Sequence, residues 1–115
     1  MRKLAFAFFI PFLLSSCAPR QTLYSWGHYE DTMYAAYAKP GAVPPETQIE
    51  QLEKDYQVAR SHQKPMPPGW HAHLGYLYYQ MGKLDQAKQE FETEKATFPE
   101  SAVLMNRLLA RVHKS

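Results

Sequence analysis

The sequence predicts an all-α fold of antiparallel helix pairs, and three observations carry that prediction. Apolar residues recur three and four apart across most of residues 29–112, the spacing that gathers them on one side of a helix. Apart from Gly75, proline and glycine stand between those stretches and mark turns. Nowhere does an apolar–polar alternation last long enough to make a strand.

A first helix is expected over Tyr29 to Ala38, with Met33, Tyr34 and Tyr37 on a shared face and Lys39-Pro40-Gly41 stopping it. Pro44-Pro45-Glu46 opens a second, because a helix start tolerates proline and favours an acid. Ile49, Leu52, Tyr56 and Ala59 give it an apolar stripe, and His62 to Pro67 reads as a linker. The third opens at Pro68-Gly69, runs through Met81 and ends at Gly82. A fourth, from Leu84 to Ala96, stacks Ala87, Phe91 and Lys95 at four-residue steps, with Asp85, Lys88, Glu90, Glu92, Glu94 and Lys95 making a solvated face. Pro99 and Glu100 begin a fifth, which carries Val103, Leu104, Leu108 and Val112. Glu100 and Ser101 read as capping and complementing its start.

Residues 1–16 have another character. Arg2 and Lys3 precede an apolar run from Leu4 to Leu14, interrupted by Pro11, and small residues Ser15 and Ser16 follow. That is the layout of an export signal. The thirteen uncharged residues from Leu4 to Ser16 fall short of the roughly 20 that cross a bilayer. The expected organisation is a signal peptide over 1–16, a lipidated tether over 17–23 and a helical domain over 24–115.

Leu14-Ser15-Ser16-Cys17 resembles a lipobox. The resemblance implies a diacylglycerol on the Cys17 sulfur, cleavage just before it and acylation of the new amino terminus, by palmitate or a similar fatty acid. Each buried methylene contributes ~0.8 kcal/mol, so several chains on one residue hold firmly. An aspartate after the cysteine commonly favours the inner membrane in such proteins. Ala18 and Pro19 stand here, which implies the outer membrane, facing the periplasm.

The chain has 13 basic and 11 acidic residues, and removing Arg2 and Lys3 leaves it balanced. A balanced chain has no electrostatic footprint for nucleic acid, and no such partner is expected. Cys17 is the only cysteine, so no disulfide supports this short chain and packing must suffice. Twelve aromatic residues after Cys17, from Tyr24 to Phe98, supply the area to bury.

Leu74-Gly75, Tyr78, Gly82, Ala87, Phe91 and Pro99 keep the spacing of one tetratricopeptide repeat, which they resemble. Gly75 and Ala87 lack bulk, so two helices can approach; Leu74, Tyr78 and Phe91 fill the space between. His71 stands where tryptophan is typical and Glu94 where alanine is usual, which predicts looser packing at Glu94. Residues 101–113 resemble the first helix of another repeat, and Leu52, Tyr56 and Ala59 the second helix of a preceding one. The fold implied is one full repeat flanked by partial repeats. Repeats stack into a curved surface whose concave side holds peptide or a partner's helix. By that resemblance Tyr76, Tyr79, Gln80, Asn106 and Arg107 are the candidate partner-binding residues. Gly69, Ala72, His73 and Tyr76 stand where the repeat's clamp for a terminal carboxylate needs Lys, Arg and Asn.

Tyr24-Ser25-Trp26-Gly27-His28-Tyr29, Lys39-Pro40-Gly41, the run from Pro67 to Gly75, and Phe98-Pro99-Glu100-Ser101 resemble signature segments of a domain-of-unknown-function family. Its members are small outer-membrane lipoproteins of Gram-negative bacteria, often encoded beside a lipoprotein like the curli secretion channel and a second small lipoprotein. The resemblance implies a part in a multi-lipoprotein assembly.

Catalytic chemistry finds little to work with. Cys17 is expected to be acylated, and Ser101 has no histidine near it in sequence. His71 and His73, two apart on a helix, point about 200° apart and cannot grip one metal. No glycine-rich phosphate loop is present. The expectation is a non-enzymatic protein without metal, cofactor or small-molecule substrate: a lipid-anchored adaptor or assembly factor that binds an envelope lipoprotein. The alternative is an accessory regulator of a cell-wall synthesis enzyme or of envelope integrity.

Overall fold

The computed structural model describes Cys17 and residues 19–115, and the expected signal peptide over 1–16 lies outside them. Among the described residues five α-helices follow one another: α1 Tyr29–Ala38, α2 Pro45–Ser61, α3 Trp70–Gln80, α4 Leu84–Thr97 and α5 Ala102–Lys114. A 3-10 turn at Pro99–Ser101 leads into α5. All five expected helices are present, and their limits follow the proline and glycine punctuation. No helix among the described residues is long and apolar enough to cross a membrane.

The helices pack antiparallel, with α3 against α4 as the largest contact, α5 against α4 and α2 against α3. One core unites Leu52 and Ala59 of α2, Leu74, Leu77 and Tyr78 of α3, Ala87 and Phe91 of α4, and Met105 and Leu109 of α5. Trp70, at the start of α3, is 1% exposed and stacks on Tyr56 at 5.6 Å between ring centroids. Gly75 sets the α3–α4 approach. A Cβ added there would stand 2.7 Å from Phe91 Cε1, closer than real contacts allow.

Three helices depart in part from the inward faces their spacing suggests, though Ile49, Leu52 and Ala59 of α2 and Ala87 and Phe91 of α4 are buried as expected. On α5 the buried stripe is Met105, Leu109 and Val112, while Val103 and Leu104 stay 68% and 56% exposed. Two apolar stripes overlap on that helix, and the one facing α4 prevails. On α2, Asp55 is buried between Leu52 and Ala59, and Tyr56 is only partly covered. On α4, Glu94 rather than Lys95 continues the inward row from Ala87 and Phe91. Lys95 instead pairs with Glu92 at 3.0 Å.

The two buried carboxylates have backbone partners. Glu94 is 2% exposed, so it departs both from the solvated face and from the looser packing expected of it. Its Oε1 accepts the Gly69 N–H at 2.7 Å and its Oε2 the Ala72 N–H at 3.4 Å. It therefore caps α3 from the neighbouring helix α4, where the first-turn N–H groups otherwise lack partners. Asp55 acts likewise on the segment before α1. Its Oδ2 accepts the His28 N–H at 2.7 Å, and its Oδ1 lies 2.9 Å from His28 Nδ1. Gly27 and Gly69 take positive φ of 47° and 89° beside these carboxylates. A side chain would be doubly misplaced there: strained in the left-handed region, and set against Asp55 at Gly27 or against the Tyr29 hydroxyl at Gly69.

Ser101 does not cap α5. Its hydroxyl donates to the Phe98 carbonyl at 2.7 Å and closes the 3-10 turn.

Candidate functional site

α1 buries none of its residues. It is held chiefly through the segment before it. The Ser25 N–H donates to the Pro65 carbonyl at 2.9 Å, Tyr24 meets Phe98 edge-on, and Trp26 stacks on Tyr29. Tyr29 alone of the α1 residues packs firmly inward, its hydroxyl over Gly69. Burial, with the Glu94 charge added, holds that phenol above its ordinary pKa.

Between α1 and the body of the domain lies a groove of about 720 Å³. Ala72, His73, Tyr76 and Gln80 of α3 and Leu104 and Leu108 of α5 form its floor. Met33, Ala36 and Tyr37 of α1 form one wall, and Val43, Pro45 and Gln48 at the start of α2 close an end. No Asp, Glu, Lys or Arg is among the lining residues. Exposed large apolar side chains surround it: Tyr37 is 79% exposed, Leu104 56% and Tyr76 45%. Large apolar groups gathered around one groove, unlike ones scattered singly, make it the candidate binding surface.

Two polar atoms in this lining are buried without a hydrogen-bond partner, Gln48 Oε1 and His73 Nε2. The sense of the Gln48 amide is fixed, because its Nε2 donates to the Val43 carbonyl at 2.9 Å. Burial holds His73 below its ordinary pKa, so near neutral pH the ring is uncharged.

A second groove, about 670 Å³, lies between α2 and α4 on the other side of α3 and is polar. Its principal groups pair with one another. His71 Nδ1 lies 2.6 Å from Glu90 Oε2, and the Tyr78 hydroxyl donates to Glu53. Burial, then Glu53, pushes the Tyr78 phenol far up. His71 and His73 thus serve opposite sides of α3. Among the described residues no group of three or more His, Cys, Asp or Glu is placed to hold a metal.

Of the five residues expected to meet a partner, Tyr76 and Gln80 line the apolar groove. Tyr79 sits against the core, its hydroxyl 3.3 Å from Ser115 Oγ. Asn106 faces α4, where its Oδ1 accepts from Lys95 at 3.3 Å. Arg107 is exposed and outside the groove lining. The four residues standing at carboxylate-clamp positions, Gly69, Ala72, His73 and Tyr76, do come together in this groove. Sequence reasoning missed Gln48 and gave Leu104 only as one of the apolar residues of the fifth helix. The surplus of apolar residues on α5, more than one packed face can take, was the signal for Leu104. Cys17 is exposed, ahead of the packed domain.

The model of one protein family, described as Domain of unknown function (DUF4810), matches residues 23–108. No curated protein and no solved structure matches the chain.

Proposed function

The chain belongs to the DUF4810 family, and from that premise we propose that it is a lipid-anchored interaction module, an adaptor or assembly factor in an outer-membrane lipoprotein complex. Cys17 carries the acyl chains, and the domain faces the periplasm. In this reading α3 and α4 are one tetratricopeptide-like pair, with α2 and α5 as halves of neighbouring pairs, and the groove is the concave side. The observation that carries the reading is the uncharged groove, lined and rimmed by apolar side chains that the fold leaves uncovered. A small domain that exposes Tyr37, Tyr76 and Leu104 around one concavity is built to cover them with another molecule.

The test is affinity capture of the full chain from mildly detergent-extracted envelopes, comparing wild type with Tyr76→Ala combined with Leu104→Asp. Both positions are exposed, so folding is expected to survive, and circular dichroism checks it. A defined lipoprotein partner recovered with wild type and lost with the variant supports the adaptor. A partner retained equally by the folded variant removes the groove from the interaction.

A further inference from the structure

We propose that the groove takes an extended, uncharged and apolar segment of a partner protein, which enters beneath α1 and pairs its backbone with Gln48 Oε1 and His73 Nε2. The proposal rests on the groove being the binding surface, and adds what binds there and how. Three observations lead to it.

The first is charge. The lining holds no acidic or basic side chain. A charged residue entering would give up its hydration and find no counter-charge. A peptide's free carboxylate fails for the same reason, since Gly69, Ala72 and Tyr76 offer no cation.

The second is the pair of unpartnered atoms. Buried polar groups in folded proteins nearly always have partners. An acyl chain would cover Gln48 Oε1 and His73 Nε2 and leave both unpaired. A partner helix would do little better, because its interior N–H groups are consumed by its own ladder. An extended segment offers a free N–H and C=O at every residue. Gln48 Oε1 can only accept, since the amide's donor end is committed to Val43. It therefore takes a backbone N–H. Neutral His73 pairs with either group, according to its tautomer.

The third is α1. Both unpartnered atoms have almost no exposed surface, so in this proposal an occupant pairs with them as a lining element yields. α1 buries no residue, and beyond Ala38 the chain continues through exposed Lys39-Pro40-Gly41. Lifting it beyond Tyr29 opens no core. Its start remains fastened by Asp55 on His28, so the helix acts as a strap closing over the segment.

The test is direct binding of the purified full chain to an array of capped nine-residue peptides built from Ala, Val, Leu, Ser, Thr, Gln and Gly. Matched members carry a central Lys or Glu, or N-methyl groups at alternate residues, and sodium palmitate is assayed alongside. Uncharged members are expected to bind, with at least a tenfold loss on adding either charge and a similar loss on N-methylation. Gln48→Met, which keeps the length but removes the acceptor, should weaken binding about tenfold, and Leu104→Asp should abolish it. N-methylation needs no altered protein, so it reads backbone pairing even if a variant folds poorly. Failure of every uncharged peptide, indifference to charge or N-methylation, or binding of palmitate in their place would overturn the proposal. If capture from envelopes still depends on Tyr76 and Leu104 in those cases, the adaptor reading stands and only the extended segment falls.

Discussion

Glu94 and Asp55 show what a single charged side chain can contribute when its partners are backbone. Each is buried, and each accepts N–H groups from a glycine-containing segment more than twenty residues away. Glu94→Ala leaves the Gly69 and Ala72 N–H groups without their acceptor. Losing hydrogen bonds to a charged group costs about 1.5–3 kcal/mol. In a domain of this size each kcal/mol lowers the melting temperature by roughly 4–8 °C, so thermal unfolding should detect the change readily; an unaltered melt would show that Glu94 does not cap α3. His28 and His73 give opposite pH dependences. The Asp55 hydrogen bond and charge raise the His28 pKa, so folding favours its protonated form. Its contribution is complete below the ordinary value of 6.5 and fades as pH rises through the raised value. Burial lowers the His73 pKa, so the unfolded chain takes the proton more readily. Stability from His73 is present above 6.5 and lost as pH falls toward the depressed value. Melting temperatures across this range should therefore decline less on the acid side in His73→Phe, and less on the alkaline side in His28→Asn. Profiles that superpose on wild type would contradict both environments.

At the scale of elements, the α3–α4 pair holds the fold together, and Gly75 is where it is least tolerant. The nearest atoms to an added Cβ belong to the Phe91 ring, itself 1% exposed and with little room to retreat. Gly75→Leu forces overpacking that costs about 1–3 kcal/mol or more. Chemical denaturation should show a lower midpoint, whereas Gly82→Ala, with nothing near its Cβ, tests backbone strain alone. This close approach was legible in the sequence, because a glycine inside a helical stripe, twelve residues before a matching alanine on the next helix, has few other uses. The helix limits were legible too, since proline and glycine write them locally. The inward carboxylates were not. A lone acid on a helical pattern reads as solvated, and only the fold supplies the Gly69 or His28 N–H that makes burial tolerable. The groove face of α5 was half legible: the surplus of apolar residues is visible, but which stripe turns to α4 depends on packing. Gln48 was invisible, because its meaning lies in an acceptor left unpaired after Val43 takes the other end of the amide.

For the molecule as a whole, the proposed anchor and the groove are separable devices with separable tests. The proposed tether over 17–23 would span at most about 25 Å when fully extended, at ~3.3–3.6 Å per residue. An acylated Cys17 would thus confine the groove to a thin layer above the membrane, the layer in which another lipoprotein also lies. Confinement raises the effective concentration of one partner for the other without any new contact. Cys17→Ser, if still exported, should keep the wild-type melting curve, since Cys17 is exposed and outside the core. It should leave the membrane fraction and recover less partner on capture, while the same domain at high concentration still binds. Leu104→Asp should do the reverse, staying with the membrane but losing the partner at any concentration. Combining the two should abolish both. A Cys17→Ser protein that still sediments with membranes until Leu104→Asp is added would mean that the groove, rather than acyl chains, holds the molecule at the envelope.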